Sequence, residues 1–274
     1  VTQIGENVPS HTVAIPGSDG SIVTIAWAAS TDTGKRRAVN EDSFIALAPV
    51  FAVADGMGGH ASGDKASAAV VERLAEAIDG DFADEDMIVK ALENATWDIE
   101  EVSAGSPVGV GTTVTGAVLA MHEGVPAFLV FNIGDSRVYR MQRNELSQVT
   151  VDHSVVQELV EAGLLSRADA EDHPESNVIT RAVGFRHAPR PDFWTVPLST
   201  GLRILVCSDG LTKEVSDERI RLHLAAGLGV GETVDALVDA ALASGGRDNV
   251  TCVLVEVRSV AGGLDDSGAS PVRG

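Results

Sequence analysis

Asp55, Asp135, Asp209 and Asp248 share one local context: each stands at the end of an apolar, strand-like run, beside a glycine or in a glycine-bearing loop. A carboxylate at the end of a buried strand has a poor dielectric around it and needs a cation, a hydrogen-bond donor or a proton. Any one of the four is readily explained as a turn residue. Four at matching strand ends, if those ends converge, would repel one another and call for divalent cations. Ligation by oxygen alone, with no His or Cys in the set, selects Mg²⁺ or Mn²⁺ over zinc. Arg37, in a loop that also carries Glu41 and Asp42, has the planar fork that suits a phosphate oxyanion. Two hard cations and an arginine are a kit for attack of water on phosphorus. The bland alternatives are tight turns and a solvated charged loop.

The elements that must position these residues are legible in outline. Residues 49–54 (PVFAVA) form a short apolar run that leads into Asp55-Gly56-Met57-Gly58-Gly59-His60; the run reads as a buried strand, and the glycines allow close approach of backbone to a bound group. Residues 21–30 and 43–48 read as strands that flank the Arg37 loop. Residues 65–78 and 84–102 carry apolar residues at helical spacing. Strand-like runs follow at 112–121, 126–133, 137–141 and 145–149, with turn signals at Gly124 and Gly134-Asp135-Ser136. A helix is expected over 153–162, then an exposed acidic excursion containing Asp169, Glu171, Asp172 and Glu175. Strands at 193–198 and 203–207, helices at 216–226 and 232–244, and a last strand at 250–257 complete the reading. Residues 1–20 lack periodicity and are expected to be an irregular lead-in; 21–257 form one domain; 258–274 lose hydrophobicity and are expected to be a disordered tail.

The chain has 274 residues and a formal net charge of −20. That charge opposes binding to nucleic acid or to an anionic membrane surface and makes divalent cations natural partners. Cys207 and Cys252 lie inside apolar runs and read as buried thiols. No apolar stretch is long enough for a membrane span, and a cytoplasmic location and a monomer are the default expectations.

Five motifs occur in order: Arg37-Ala38-Val39-Asn40-Glu41-Asp42, Asp55-Gly56-Met57-Gly58-Gly59-His60, Gly134-Asp135-Ser136-Arg137, Ser208-Asp209-Gly210 and Gly246-Arg247-Asp248-Asn249. Together they resemble the metal-dependent protein serine/threonine phosphatases, the PPM family, in its bacterial form, over about residues 22–257. The resemblance implies an α+β fold, an αββα sandwich of two central antiparallel sheets flanked by helices, with a binuclear metal site at one end. It implies Mn²⁺ or Mg²⁺ as cofactor, two core ions and a weaker third. Asp55 resembles the carboxylate that bridges two ions, and the Gly56 carbonyl completes one of them. Asp209 and Asp248 resemble ligands of the first ion, and Glu41 and Asp42 lie on the side of the second. Asp135, with Asp209, resembles the ligands of the third. Arg37 resembles the phosphate-binding arginine, and Asn249 is expected to orient its neighbourhood. Met57 departs from the eukaryotic pattern, in which a histidine follows the Asp-Gly and serves as general acid; methionine donates no proton, which leaves a metal-bound water near Asp135 as first candidate donor, with His60 and bulk solvent as the others.

The activity implied is hydrolysis of phosphoserine and phosphothreonine in proteins, with phosphorylated proteins as partners, a Ser/Thr protein kinase among them. Two rivals stand beside it. A catalytically silent phosphoprotein-binding relative or scaffold would keep the fold but not the turnover, and a two-metal nuclease or phosphodiesterase would need a basic track that the net charge opposes.

Overall fold

The computed structural model describes residues 1–58, 62–103, 109–170, 173–185 and 188–262. Two sheets stack face to face. One has the strand order β1 (Gln3–Gly5), β4 (Asp42–Leu47), β5 (Val50–Met57), β7 (Val114–His122), β8 (Val125–Ile133), β11 (Asp192–Pro197), with the short β6 (Gly111–Thr112) pairing the end of β5. The other runs β10 (Glu145–Gln148), β9 (Arg137–Gln142), β12 (Arg203–Cys207), β13 (Val250–Ala261), β3 (Ile22–Asp32), β2 (Val8–Ala14). Pairing is antiparallel except for β1 with β4, so the expected pair of antiparallel sheets acquires one parallel edge. Helices α1 (Gly63–Glu76) and α2 (Glu85–Ser103) cover the first sheet. Between β10 and β11 lie the short α3 (Val155–Glu161) and α4 (Arg167–Ala170). Helices α5 (Asp209–Thr212), α6 (Asp217–Ala225) and α7 (Val230–Ser244) lie on the second sheet.

Side-chain alternation explains why β5 reads as an unbroken apolar run. Phe51 and Val53 point between the sheets, against Trp27, Leu119, Phe128, Ile204 and Val255. Val50, Ala52 and Ala54 point the other way, against Val70, Leu74, Ile88 and Leu92 of α1 and α2. With a period of two and both faces covered, every position is apolar. The outer face of the second sheet does the same with Leu205, Cys207 and Leu254 against Leu237 and Ala241 of α7. Three apolar layers result, and the αββα expectation holds.

Two expectations at the termini are corrected. Residues 1–20 are not an irregular lead-in: β1 extends the first sheet and β2 the second, so this stretch spans the sandwich edge. Trp27 Nε1 donates to the Glu6 carbonyl at 3.0 Å and Ala29 N–H donates to Asn7 Oδ1 at 2.9 Å, which fixes the crossing between the two strands. Strand β13 does not stop at 257. It continues to Ala261, paired with the start of β3, while Arg258 forms an ion pair with Glu256 at 2.7 Å; residues 263–274 lie outside the described part of the chain.

Candidate active site

Register brings the motif carboxylates to one end of the sandwich. Asp42 opens β4 directly opposite Asp55 near the end of β5. Cys207, which ends β12 two residues before Asp209, stands opposite Cys252 near the start of β13, and Asp248 lies two residues before that strand. Ile133 ends β8 opposite Val114, and Asp135 follows in the turn. Strand β5 does not end at Asp55 as expected but continues through Gly56 and Met57, paired with β6. Gly56 makes this possible by close packing: a Cβ there would sit inside the Gly63 carbonyl and crowd that of Glu41.

Backbone contacts fix the carboxylate-bearing segments to one another. Thr113 Oγ1 accepts from the Asp55 N–H at 3.1 Å and shares a hydrogen bond with Ser136 Oγ at 2.9 Å, so one threonine ties β5 to the Asp135 turn. His153 Nδ1 accepts from the Gly134 N–H at 3.1 Å, while its Nε2 meets Asp192 Oδ2 at 3.0 Å. A backbone N–H can only donate, so Nδ1 is unprotonated and Nε2–H donates to Asp192. Burial also lowers the pKa of His153, keeping the ring neutral.

Asp42 has no solvent exposure. Its Oδ2 accepts from Thr251 Oγ1 at 2.6 Å and from Ser208 Oγ at 2.8 Å. These two hydroxyls were missed from sequence, although Thr251 is a visible polar break in the apolar run of β13. Burial pushes the Asp42 carboxyl up to about 7, with Asp209 and Asp248 adding repulsion. Burial likewise lifts Asp135 to about 7, again with Asp209 beside it. Asp55 is raised well above the carboxylate range by burial and then by Asp42, Asp209, Asp135 and Asp248. Glu41 is raised by burial and by Asp64 at the start of α1, a second neighbour the motifs did not single out. His60 lies outside the described residues.

Cations hold two members of the cluster. Arg37 Nη2 meets Asp248 Oδ2 at 2.7 Å, and Lys213 Nζ forms an ion pair with Asp209 Oδ2. Burial alone would lower the Lys213 pKa, but Asp209, Asp135 and Asp55 outweigh it and raise it. Among the described residues no three His, Cys, Asp or Glu side chains stand close enough to hold an ion as they are. The donor set nevertheless fits hard divalent cations. It is all oxygen, and Asp42 Oδ1 and Asp209 Oδ1 are buried with no hydrogen-bond partner, the kind of orphaned acceptor a cation satisfies.

A proton count tests this fit. Folded-state pKa values near 7 exceed the unfolded value near 4, so between those limits the folded, metal-free protein holds protons that the unfolded chain has lost. Stability from Asp42 and Asp135 is therefore greatest at low pH and falls as pH rises through 7. Ligation needs the carboxylates ionised, so Mn²⁺ uptake at pH 6.5 is expected to release about one or two protons per chain, and affinity is expected to rise towards pH 8. Titration calorimetry in two buffers of different ionisation enthalpy reads the release directly; identical heats in both would refute it.

The family model described as protein phosphatase 2C matches residues 34–249. The chain is 37% identical over 254 residues to the serine/threonine phosphatase stp of Listeria welshimeri, covering 86% of this chain and 98% of that protein. Its fold matches the crystal structure of the Mycobacterium tuberculosis serine/threonine phosphatase PstP/Ppp with a TM-score of 0.78 at 37% identity, over 85% of this chain and 98% of that one. It also matches the PstP catalytic domain in complex with two manganese ions, with a TM-score of 0.76 at 36% identity, over 86% and 98% of the two chains. No helix among the described residues is long and apolar enough to cross a membrane.

Proposed function

The chain belongs to the protein phosphatase 2C family, and from that premise we propose that it hydrolyses phosphoserine and phosphothreonine in proteins, a Ser/Thr protein kinase among them, with Mn²⁺ or Mg²⁺ bound at the carboxylate cluster. The observation that carries the reading is the convergence of Asp42, Asp55, Asp135, Asp209 and Asp248 at one end of the sandwich with Arg37 beside them. In this reading Asp55 would serve two ions and the Gly56 carbonyl would serve one of them. Asp209 and Asp248 would hold the first ion, Glu41 would lie towards the second, and Asp135 with Asp209 would hold a weaker third. Asp42 would lie with Glu41 on the second ion's side, its Oδ2 held by Ser208 and Thr251. The ions, when bound, supply a water acidic enough to act as nucleophile near neutral pH and neutralise charge on the phosphoryl oxygens.

The protein's own groups do the rest. Arg37 is half exposed, and its guanidinium can exchange Asp248 for a phosphoryl oxygen at the rim. Met57, at the end of β5, donates no proton, so the leaving alkoxide takes its proton from water or from His60. Cys207 is fully buried, and burial lifts its thiol to about 12, which excludes it as a nucleophile. Dephosphorylation of a phosphothreonine peptide, with and without EDTA, tests the whole reading: hydrolysis restored by Mn²⁺ supports it. Turnover indifferent to EDTA would sink the metal assignment, and binding without turnover in excess Mn²⁺ would favour the silent scaffold.

Arg37→Ala is expected to raise KM for the peptide about tenfold with kcat nearly unchanged, because it binds phosphate in ground and transition states alike. Lys35 and Arg36 are exposed neighbours and serve as controls. Equal effects from all three substitutions would point to diffuse electrostatics. In the acidic excursion between α3 and β11, Asp169 and Glu175 are exposed, while Glu171 and Asp172 lie outside the described residues.

A further inference from the structure

Among the described residues, the six carboxylates Glu41, Asp42, Asp55, Asp135, Asp209 and Asp248 pair with two cations, and the two sit at different places. Arg37 is at the rim on Asp248, whereas Lys213, the residue after α5, reaches in to Asp209, with Asp135 and Asp55 next in its field. Lys213 is four residues after Asp209, and its N–H donates to the Asp209 carbonyl at 2.9 Å. One helical turn therefore stacks the ammonium over the carboxylate. The far side of Lys213 is anchored as well: its carbonyl accepts from Arg247 Nη2 at 3.1 Å, and Arg247 is held by Glu214 at 2.8 Å. The lysine backbone is thus fixed from two directions, and its side chain is about two-thirds covered.

We propose that Lys213 is a resident cation on the Asp135 side of the cluster that weakens the binding of a third divalent ion between Asp135 and Asp209. This rests on the phosphatase reading above. A divalent ion bound by Asp135 and Asp209 would have to displace Nζ from Asp209 or sit within a few ångström of its charge, and either costs affinity. The ammonium does for Asp209 and Asp135 what an ion would otherwise do, and it does so without metal. Lys213 is in this sense a positioning residue that sets how many ions the site takes.

The test counts ions rather than turnover. Mn²⁺ bound per chain is measured by electron paramagnetic resonance for the whole protein, for Lys213→Met, which keeps length without charge, and for Lys213→Arg, which keeps charge. The wild type is expected to show two tight Mn²⁺ ions, and Lys213→Met a third bound at least tenfold more tightly than in the wild type, with Lys213→Arg like the wild type. Melting in EDTA gives a second readout: Lys213→Met is expected to melt below the wild type, and the gap to close when Mn²⁺ is added. Equal third-ion affinity in wild type and Lys213→Met, or a melting gap that Mn²⁺ does not close, would overturn the inference while leaving the two-ion reading intact. Absence of any Mn²⁺ binding in the wild type would overturn both.

Discussion

Asp55→Asn is expected to lower Mn²⁺-dependent turnover by about a thousandfold or more, about 4 kcal/mol of barrier, and yet to raise the melting temperature of the metal-free protein. The two effects have one cause. Asp55 stands opposite Asp42 and is repelled by Asp42, Asp209, Asp135 and Asp248, so its charge is a burden on the fold until cations share it. An amide of the same shape removes the burden and also the ligand. Asp209→Asn separates the two roles. It should abolish turnover to a similar extent but lower metal-free stability, because it strands the Lys213 ammonium that now pairs with Asp209. Opposite signs in the two melting shifts, with both variants inactive, are the expected pattern; near-normal turnover of Asp55→Asn in excess Mn²⁺ would sink the bridging role.

How much of this was legible in the sequence depends on the range of the interaction. The layers were legible because alternation is local: Phe44 and Phe51 face one way, Ile45 and Val50 the other, and each position needs only its own strand to be read. Residues 3–14 were not, because an edge strand buries one face at most. Pro9, Ser10 and His11 interrupt the pattern where the register shifts between Val8 and His11. The motif aspartates were legible as a set, through the glycines beside them. Their supports were not: Ser208 and Thr251 reach Asp42 across 166 and 209 residues of chain, and nothing local marks a serine or threonine as a donor to a distant carboxylate. Lys213 was passed over for a different reason. It sits one helical turn from a motif aspartate, but α5 is too short for an apolar stripe to reveal which way its side chains face.

Asn249→Ala is expected to destabilise the protein by about 2–4 kcal/mol and to lower kcat/KM by about ten- to a hundredfold, although Asn249 is not among the proposed ligands. Asn249 is 5% exposed and uses its whole amide. Its Oδ1 accepts from the Glu41 N–H at 2.8 Å, and its Nδ2 donates to the carbonyls of Thr33 and Val39 at 2.9 and 3.0 Å. One side chain thus closes the loop that carries Arg37 and Glu41 onto the start of β13. Its carbonyl lies against Gly210, where a Cβ would not fit, so any shift of Asn249 is passed to the first turn of α5, where Asp209 sits. Alanine leaves three backbone groups without partners and frees the loop, which accounts for the stability loss at roughly 1 kcal/mol per bond. The activity loss should not be recovered by excess Mn²⁺, because the ligands are all present and only their placement has changed. If Asn249→Ala melts with the wild type and keeps its kcat/KM, the loop is held by something other than this amide, and Arg37 owes its position to its ion pair with Asp248 alone.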